Sequence, residues 1–376
     1  MRRVSILGST GSIGRNALDV IKHLPPGEVE VVGLAARRSV ERIVEQALDF
    51  SVKAVALAEE EAAERAARML KGTGVQVFGG QEGVLRIATM EEADMVLSAM
   101  VGSAGLIPTI EAIRSGKDVA FANKEVLVVG GEVVMEEVKR SGVNFLPVDS
   151  EISAIFQCLE GCRDRSQIKR LILTASGGPF RGCSPEELEK ATVQQALKHP
   201  RWKMGSKVTI DSATLMNKGF EVIESMWLFG VDLDRIDVLV HPQSVIHSMV
   251  EFVDGSVIAQ MSVPDMRIPI QYALTYPRRM PTPARPLDLA EVGELTFEEP
   301  DPERFPCLKL AYEAAEVGGT MPAVVSAADE VAVEAFLRGR IGFTAIPRLI
   351  KAVMDRHVPI SSPSVSDLLE ADRWAK

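Results

Sequence analysis

Largely apolar runs alternate with amphipathic stretches through the first 148 residues of this 376-residue chain, and that alternation restricts the folds open to it. Residues 4–7, 29–36, 53–57, 75–78, 95–99, 119–122 and 145–148 form the apolar runs. A strand that is apolar toward both sides must be covered on both faces. Residues 15–24, 40–50, 59–70, 106–115 and 131–141 have helical spacing and supply the cover. The pattern predicts an α/β chain whose N-terminal part is a doubly wound parallel sheet.

The length exceeds what one hydrophobic core sustains. The expected division is an α/β domain over 1–148 and a second α/β domain over 149–277. A Pro- and acid-rich linker over 278–304 and a small all-helical domain over 305–376 complete it. Within the second domain, 246–252 and 256–261 read as a hairpin turning at Asp254-Gly255. The net charge of −10 excludes general affinity for nucleic acid or an anionic membrane, though a local cationic pocket can still take an anionic substrate. Four cysteines with no CxxC and no histidine companions argue against zinc and read as reduced thiols. With no signal-like apolar core at the start and no run of membrane-spanning length, a cytoplasmic location is expected.

The first turn, Gly8-Ser-Thr-Gly11-Ser-Ile-Gly14, joins a strand to a helix. Glycines there let backbone approach a pyrophosphate, and the helix start offers unpaired N–H groups. The second strand ends in Ala36-Arg37-Arg38-Ser39, without the acidic residue that would hold NAD ribose hydroxyls. Two guanidiniums and a hydroxyl suit the 2′-phosphate of NADP; a solvated arginine pair is the alternative. Asn123-Lys124-Glu125 follows another strand and reads either as a ligand-facing strand end or as a capped helix start.

Asp149 and Glu151 are two apart, so in extended backbone both carboxylates face one side. With a distant third carboxylate they suit Mg²⁺ or Mn²⁺; an acidic first helical turn at Ser150 is the alternative. Ser176-Gly-Gly-Pro-Phe180 frees backbone to approach an anion, as would a plain turn. His199 and Trp202, in a Pro- and Gly-bounded loop over about 199–206, read as a mobile flap closing over a substrate; a loop anchored by its aromatic residue is the alternative. In Asp211-Ser212-Ala-Thr-Leu-Met-Asn217-Lys218-Gly-Phe-Glu221, hydroxyl, amide and ammonium groups suit a phosphate and Glu221 a metal. Lys218, Glu221 and Glu224 share one helix face, so a surface salt bridge is the alternative. His247 lies in a strand pattern and reads as structural.

These motifs occur together and in order, and the chain resembles the 1-deoxy-D-xylulose 5-phosphate reductoisomerases. GSTGSIG, ANKE at 122–125, DSE at 149–151, SGGPF at 176–180, HPRWKMG at 199–205, DSATLMNKGFE at 211–221, HPQSVIHS at 241–248 and AADEVAV at 327–333 carry the resemblance. It implies a Rossmann-type domain, a central catalytic α/β domain with a flap and a C-terminal helical domain, in a homodimer. The implied reaction is NADPH- and metal-dependent rearrangement and reduction of 1-deoxy-D-xylulose 5-phosphate to 2-C-methyl-D-erythritol 4-phosphate, in non-mevalonate isoprenoid biosynthesis.

The resemblance also implies roles. Asp149, Glu151 and Glu221 would bind Mg²⁺ or Mn²⁺, with Glu224 behind them. Ser176, Ser212, Asn217 and Lys218 would hold the substrate phosphate. Lys124, Ser150 and Glu151 would contact the substrate backbone, and His199 and Trp202 would close over it. Lys124, Glu151 and His199 are the expected catalytic residues. Thr10, Gly11, Ser12, Ile13, Arg37, Arg38, Ser39, Asn123, Glu125 and Gly205 would line the cofactor site. The family has Gly-Lys-Asn or a close variant at 37–39, and Asn where this chain has Asp329; the second departure reads as a helix-boundary detail. Arg38→Ala is expected to raise the KM for NADPH much more than that for NADH. An equal effect on the two cofactors, measured by steady-state kinetics, would remove the 2′-phosphate from this position.

Overall fold

The computed structural model describes residues 1–202 and 204–376. They form two compact units, the first comprising Met1–Val126, Val134–Ser150 and Asp265–Arg285. Its elements in chain order are β1 (Arg2–Leu7), α1 (Ser12–His23), β2 (Val29–Ala36), α2 (Val40–Asp49), β3 (Ala54–Leu57) and α3 (Glu60–Met69). There follow β4 (Gln76–Gly79), α4 (Gly80–Ala88), β5 (Met95–Ser98), α5 (Leu106–Arg114), β6 (Asp118–Phe121), α6 (Glu125–Ser141) and β7 (Phe145–Pro147). The seven strands pair in the order β4-β3-β2-β1-β5-β6-β7, all parallel. This is the doubly wound sheet that the apolar runs predict, and β3 and β5 are buried at every position.

The strand order reverses at β1, which lies between β2 and β5. Such a switch point opens a crevice at the carboxyl ends of the strands. Gly8 and Gly14 make the turn there possible. A Cβ on Gly8, which has φ +89°, would lie 2.3 Å from the Ala99 carbonyl oxygen beyond β5. One on Gly14 would lie 2.5 Å from the Gly8 oxygen, so α1 could not start so close to β1.

The second unit comprises Leu127–Val133, Glu151–Pro264 and Pro286–Lys376. It contains α7 (Ser150–Cys158), β8 (Ile168–Ala175), α8 (Pro185–Glu189), α9 (Val193–Ala196), α10 (Ser206–Thr214) and α11 (Met216–Phe229). The strands β9 (Ile236–Val240), β10 (Ile246–Phe252) and β11 (Val257–Met261) complete a sheet in the order β11-β10-β8-β9. Here β8 and β9 are parallel, and β10 runs antiparallel to both β8 and β11. The chain then forms α12 (Arg267–Thr275), α13 (Leu289–Val292), α14 (Pro306–Val317), α15 (Met321–Leu337), α16 (Ala345–Met354) and α17 (Val365–Ala375).

These units are drawn differently from the four expected stretches. Residues from α12 return to the first unit, where Arg267 bonds Asp19 of α1 at 3.3 Å and Arg2 donates to the Leu274 and Tyr276 carbonyls. The apolar face of α12, with Ile270 and Leu274 buried, goes with these bonds. The helices after residue 305 share one hydrophobic core with the second sheet: Leu310, Val325 and Phe336 cluster with Leu171, Leu173, Phe220 and Val238. Burying each such side chain contributes about 1.5–3 kcal/mol.

Several helices depart from the sequence reading, α4 and α17 being missed altogether. α6 begins at Glu125 and continues through a kink at Gly130 (φ −135°, ψ 31°), where paired glycines read as a start. α4 opens on Gly80 in a left-handed conformation, which hides it from propensity. α17 is announced only by the capping box of Ser364 and Asp367. No described helix is long and apolar enough to cross a membrane.

Candidate active site

In the second unit, the α11 residues Lys218 and Glu221 are 3% and 1% exposed. Burying a charge is costly unless it is paired and hydrogen-bonded. Both conditions are met, because the Lys218 ammonium binds Glu221 and lies 3.1 Å from Glu151 Oε1 on the first turn of α7. The Asn217 amide donates to the other Glu221 oxygen at 2.5 Å. Carboxylate oxygens of Glu151 and Glu221 come within 4.8 Å of one another. Hard oxygen donors so placed suit a divalent cation. Glu224, fully buried one turn on, continues the same face.

In the first unit, Asp149 Oδ2 accepts from Lys124 Nζ at 2.6 Å. Asp149 precedes Glu151 by two residues, and α7 begins between them at Ser150. The acidic helix start weighed from the sequence is present, so the carboxylates do not extend along one strand face.

The Asp211–Glu221 motif is split between two helices. α10 carries Asp211 and Ser212 and ends at Leu215, which has φ +63°, before α11 carries Asn217, Lys218 and Glu221. A leucine in the left-handed region costs on the order of 1–3 kcal/mol, and such strain clusters at functional sites. No Gly or Pro announces this corner. Against α10 sits the turn after β8, where Gly177 and Gly178 have φ +81° and +66°. A Cβ on Gly178 would lie 2.8 Å from the Ser212 carbonyl oxygen, so only glycine lets the Ser176 turn reach α10.

His199 connects to this turn, its Nε2 lying 2.9 Å from Ser176 Oγ. Its Nδ1 accepts from the N–H groups of Trp202 at 2.8 Å and Arg201 at 3.2 Å. The ring proton is therefore on Nε2, and Ser176 Oγ accepts from it. That oxygen also accepts from Gly178 N–H at 3.1 Å, which leaves the hydroxyl proton to point elsewhere. Burial pushes His199 down to about 4 from the ordinary 6.5, so it is neutral at pH 7. Trp202 tilts over His247, with ring centroids 6.1 Å apart. Arg201 donates to the Pro242 carbonyl at 3.0 Å. Lys203, inside the expected flap, lies outside the described residues, and Gly205 is exposed at the start of α10.

His247 is buried on β10 with Nε2 3.2 Å from the Ser262 carbonyl, the structural role expected of it. His241 pins its own loop. Its Nε2 accepts from the Val245 and Ile246 N–H groups and its Nδ1–H donates to the Thr296 carbonyl at 2.9 Å.

At the switch point of the first unit, Gly11 and Ser12 are exposed, Thr10 and Ile13 half-buried, and no side chain caps α1. Its first N–H groups are open to an anion. Arg37 pairs with Glu59 at 3.1 Å, whereas Arg38 extends exposed beside Ser39 at the start of α2. Asn123 takes the capping role. Its Oδ1 accepts from Glu125 N–H at 3.1 Å and its amide donates to the Gly102 carbonyl at 2.9 Å, so its side chain is committed inward. Glu125 is buried at the start of α6.

Comparison with known proteins decides what the arrangement belongs to. A family model of 1-deoxy-D-xylulose 5-phosphate reductoisomerase matches residues 4–131 and that of its C-terminal domain residues 145–229. A model of the DXP reductoisomerase C-terminal domain matches residues 261–376. The reductoisomerase of Thermodesulfovibrio yellowstonii is 53% identical over 376 residues, covering 100% of this chain and 98% of that protein. The chain belongs to the 1-deoxy-D-xylulose 5-phosphate reductoisomerase family. The family member of Pelotomaculum thermopropionicum is 54% identical over 100% of this chain and 97% of its own. The solved reductoisomerase of Zymomonas mobilis in complex with NADPH superposes with a TM-score of 0.93 at 43% identity, covering 100% and 97% of the two chains. A DOX-P reductoisomerase in complex with NADPH, fosmidomycin and magnesium gives a TM-score of 0.96 at 38% identity, covering 100% and 96%.

One family departure has a different place from that expected. Asp329 lies in the middle of α15, fully buried, with Oδ2 3.0 Å from Lys207 Nζ. Lys207 also pairs with Asp211 at 2.7 Å; neither Lys207 nor Asp211 was assigned a role from the sequence. The four-residue spacing of Lys207 and Asp211 was the available signal.

Burial holds His247 near 4 as well as His199. Below the ordinary 6.5 the unfolded chain takes up these protons and the folded chain does not, until pH reaches about 4. Stability is therefore expected to fall as pH drops through that window. His247→Gln should remove up to one proton from the linkage, flattening the slope by up to about 1.4 kcal/mol per pH unit. Denaturant midpoints of the two proteins across pH 4–7 check this, and parallel curves would refute it.

Proposed function

We propose that this chain converts 1-deoxy-D-xylulose 5-phosphate to 2-C-methyl-D-erythritol 4-phosphate, using NADPH and Mg²⁺ or Mn²⁺. The observation that carries the reading is the Glu151–Lys218–Glu221 cluster, to which α7 supplies Glu151 and α11 supplies Lys218 and Glu221 beside Asn217. When bound, the cation supplies Lewis-acid polarisation of the substrate oxygens and NADPH supplies hydride.

The residues of the chain bind and orient. Glu151 and Glu221 hold the cation, and Asp149, two residues away along the chain, is the third ligand. Ser176, Ser212, Asn217 and Lys218 take the phosphate, the free proton of Ser176 donating to its oxygens while the Nε2–H of His199 holds the Ser176 oxygen in place. Lys124 and Ser150 orient the sugar backbone beside Glu151, and the Lys124 ammonium offsets negative charge that develops there. Trp202 covers the site and excludes water as the flap closes, with phosphate contacts remote from the reacting carbons helping to drive closure. Thr10, Gly11, Ser12 and Ile13 receive the cofactor pyrophosphate at the start of α1. Arg38 and Ser39 receive the 2′-phosphate; Arg37 assists on leaving Glu59, while Asn123, Glu125 and Gly205 shape the rest of the cofactor site.

Mixing the protein with NADPH, Mg²⁺ and 1-deoxy-D-xylulose 5-phosphate should oxidise NADPH, and a chelator should stop it. Glu221→Gln should need much more Mg²⁺ for half-maximal rate. Oxidation that ignores the chelator would overturn the metal role, and no substrate-dependent oxidation would overturn the function.

Homodimer formation is part of the same reading. It is supported by β11, an edge strand whose Val257 and Ile258 are 50% and 47% exposed. Such an edge invites pairing with a second chain. Light scattering is expected to give twice the chain mass, and a monomer at micromolar concentration would exclude it.

A further inference from the structure

Lys207 sits in the first turn of α10, where the helix dipole disfavours a cation. Its ammonium is nevertheless held there by three partners on three helices of the second unit. It lies 2.7 Å from Asp211 Oδ2 on α10, 3.0 Å from Asp329 Oδ2 on α15 and 4.9 Å from the centre of the Phe220 ring on α11. Asp211 and Asp329 are 2% and 0% exposed, and Phe220 is fully buried. Two buried carboxylates on one ammonium form a junction that loses its compensation if the lysine is removed.

The place of this junction gives it a further meaning. Asp211 immediately precedes Ser212, and Phe220 lies between Lys218 and Glu221. Lys207 thus grips α10 and α11 on both sides of the strained Leu215 corner and ties that corner to α15. The angle at the corner sets the distance between Ser212 and the Asn217–Lys218 pair.

We propose that Lys207 is a positioning residue for the substrate phosphate, fixing the α10–α11 corner through Asp211 and Asp329 so that Ser212, Asn217 and Lys218 converge on one anion. The inference rests on the function proposed above. Lys207 does not touch the substrate; it acts through the residues beside it.

Two variants test it by steady-state kinetics. Lys207→Met keeps the stem of the side chain and removes the charge. It should raise the KM for 1-deoxy-D-xylulose 5-phosphate about tenfold while kcat changes less than about threefold. Asp329→Asn leaves Lys207 an amide oxygen, a weaker acceptor than a carboxylate, and should raise the same KM about threefold. The KM for NADPH and the Mg²⁺ concentration for half-maximal rate should stay within about twofold in both variants. A purely structural junction would move all these constants together, or none of them, and either result overturns the proposal. If Lys207→Met fails to fold, Asp329→Asn decides by the same criteria. Turnover by the unsubstituted chain with an unmoved substrate KM in the variants overturns this inference alone. No turnover by the unsubstituted chain overturns the functional reading and this inference with it.

Discussion

Charge buried on α11 is the constraint around which the second unit is arranged. The Glu221 carboxylate, buried in the interior, has its two oxygens met by the Lys218 ammonium and the Asn217 amide. Those contacts join side chains three and four apart on one helix, so they are settled as soon as α11 forms. Glu151 reaches Lys218 from α7, at a distance of 67 residues in sequence, and that contact needs the finished core. The same logic governs Lys207, whose two acids come from α10 and α15. Polar groups so deep specify one packing, because sliding either helix would strand a charge.

What could be read from the sequence follows from how local each determinant is. Most strands of the first sheet were legible because strands buried on both faces leave continuous apolar runs; the edge strand β4 is half-exposed. The common face of Lys218, Glu221 and Glu224 was legible because it needs only the helical period. The Leu215 corner was not, since leucine carries no turn signature and its left-handed conformation is imposed by packing. Nor was the commitment of Asn123 to Gly102, which depends on a loop 21 residues away. The pairing of Arg37 with Glu59, which distinguishes two adjacent arginines, needs β2 and β3 side by side.

Histidines show the same division between local and tertiary control. His199 reads as a flap residue from its Pro- and Gly-bounded loop, but its tautomer is set by the N–H groups of Arg201 and Trp202 folding back on Nδ1. That fixes the ring as a donor from Nε2 and leaves Ser176 a proton to give. His241 has its tautomer set the same way, by Val245 and Ile246, and spends it on holding the loop against Thr296. Two chemically similar rings thus hold different things, the Ser176 turn and the Thr296 loop, and only the partners distinguish them.

The return of α12 to the first unit bears on how the chain is made. Strands β1 to β7 are complete by residue 147, yet the helix whose Arg267 bonds Asp19 is not synthesised until more than a hundred residues later. Between them the ribosome delivers the whole of the second sheet. During that interval α1 waits with part of its flank uncovered, so the nascent first unit cannot finish folding before most of the second has emerged. Translation order and folding order are therefore interleaved, and neither unit corresponds to a continuous stretch of the gene.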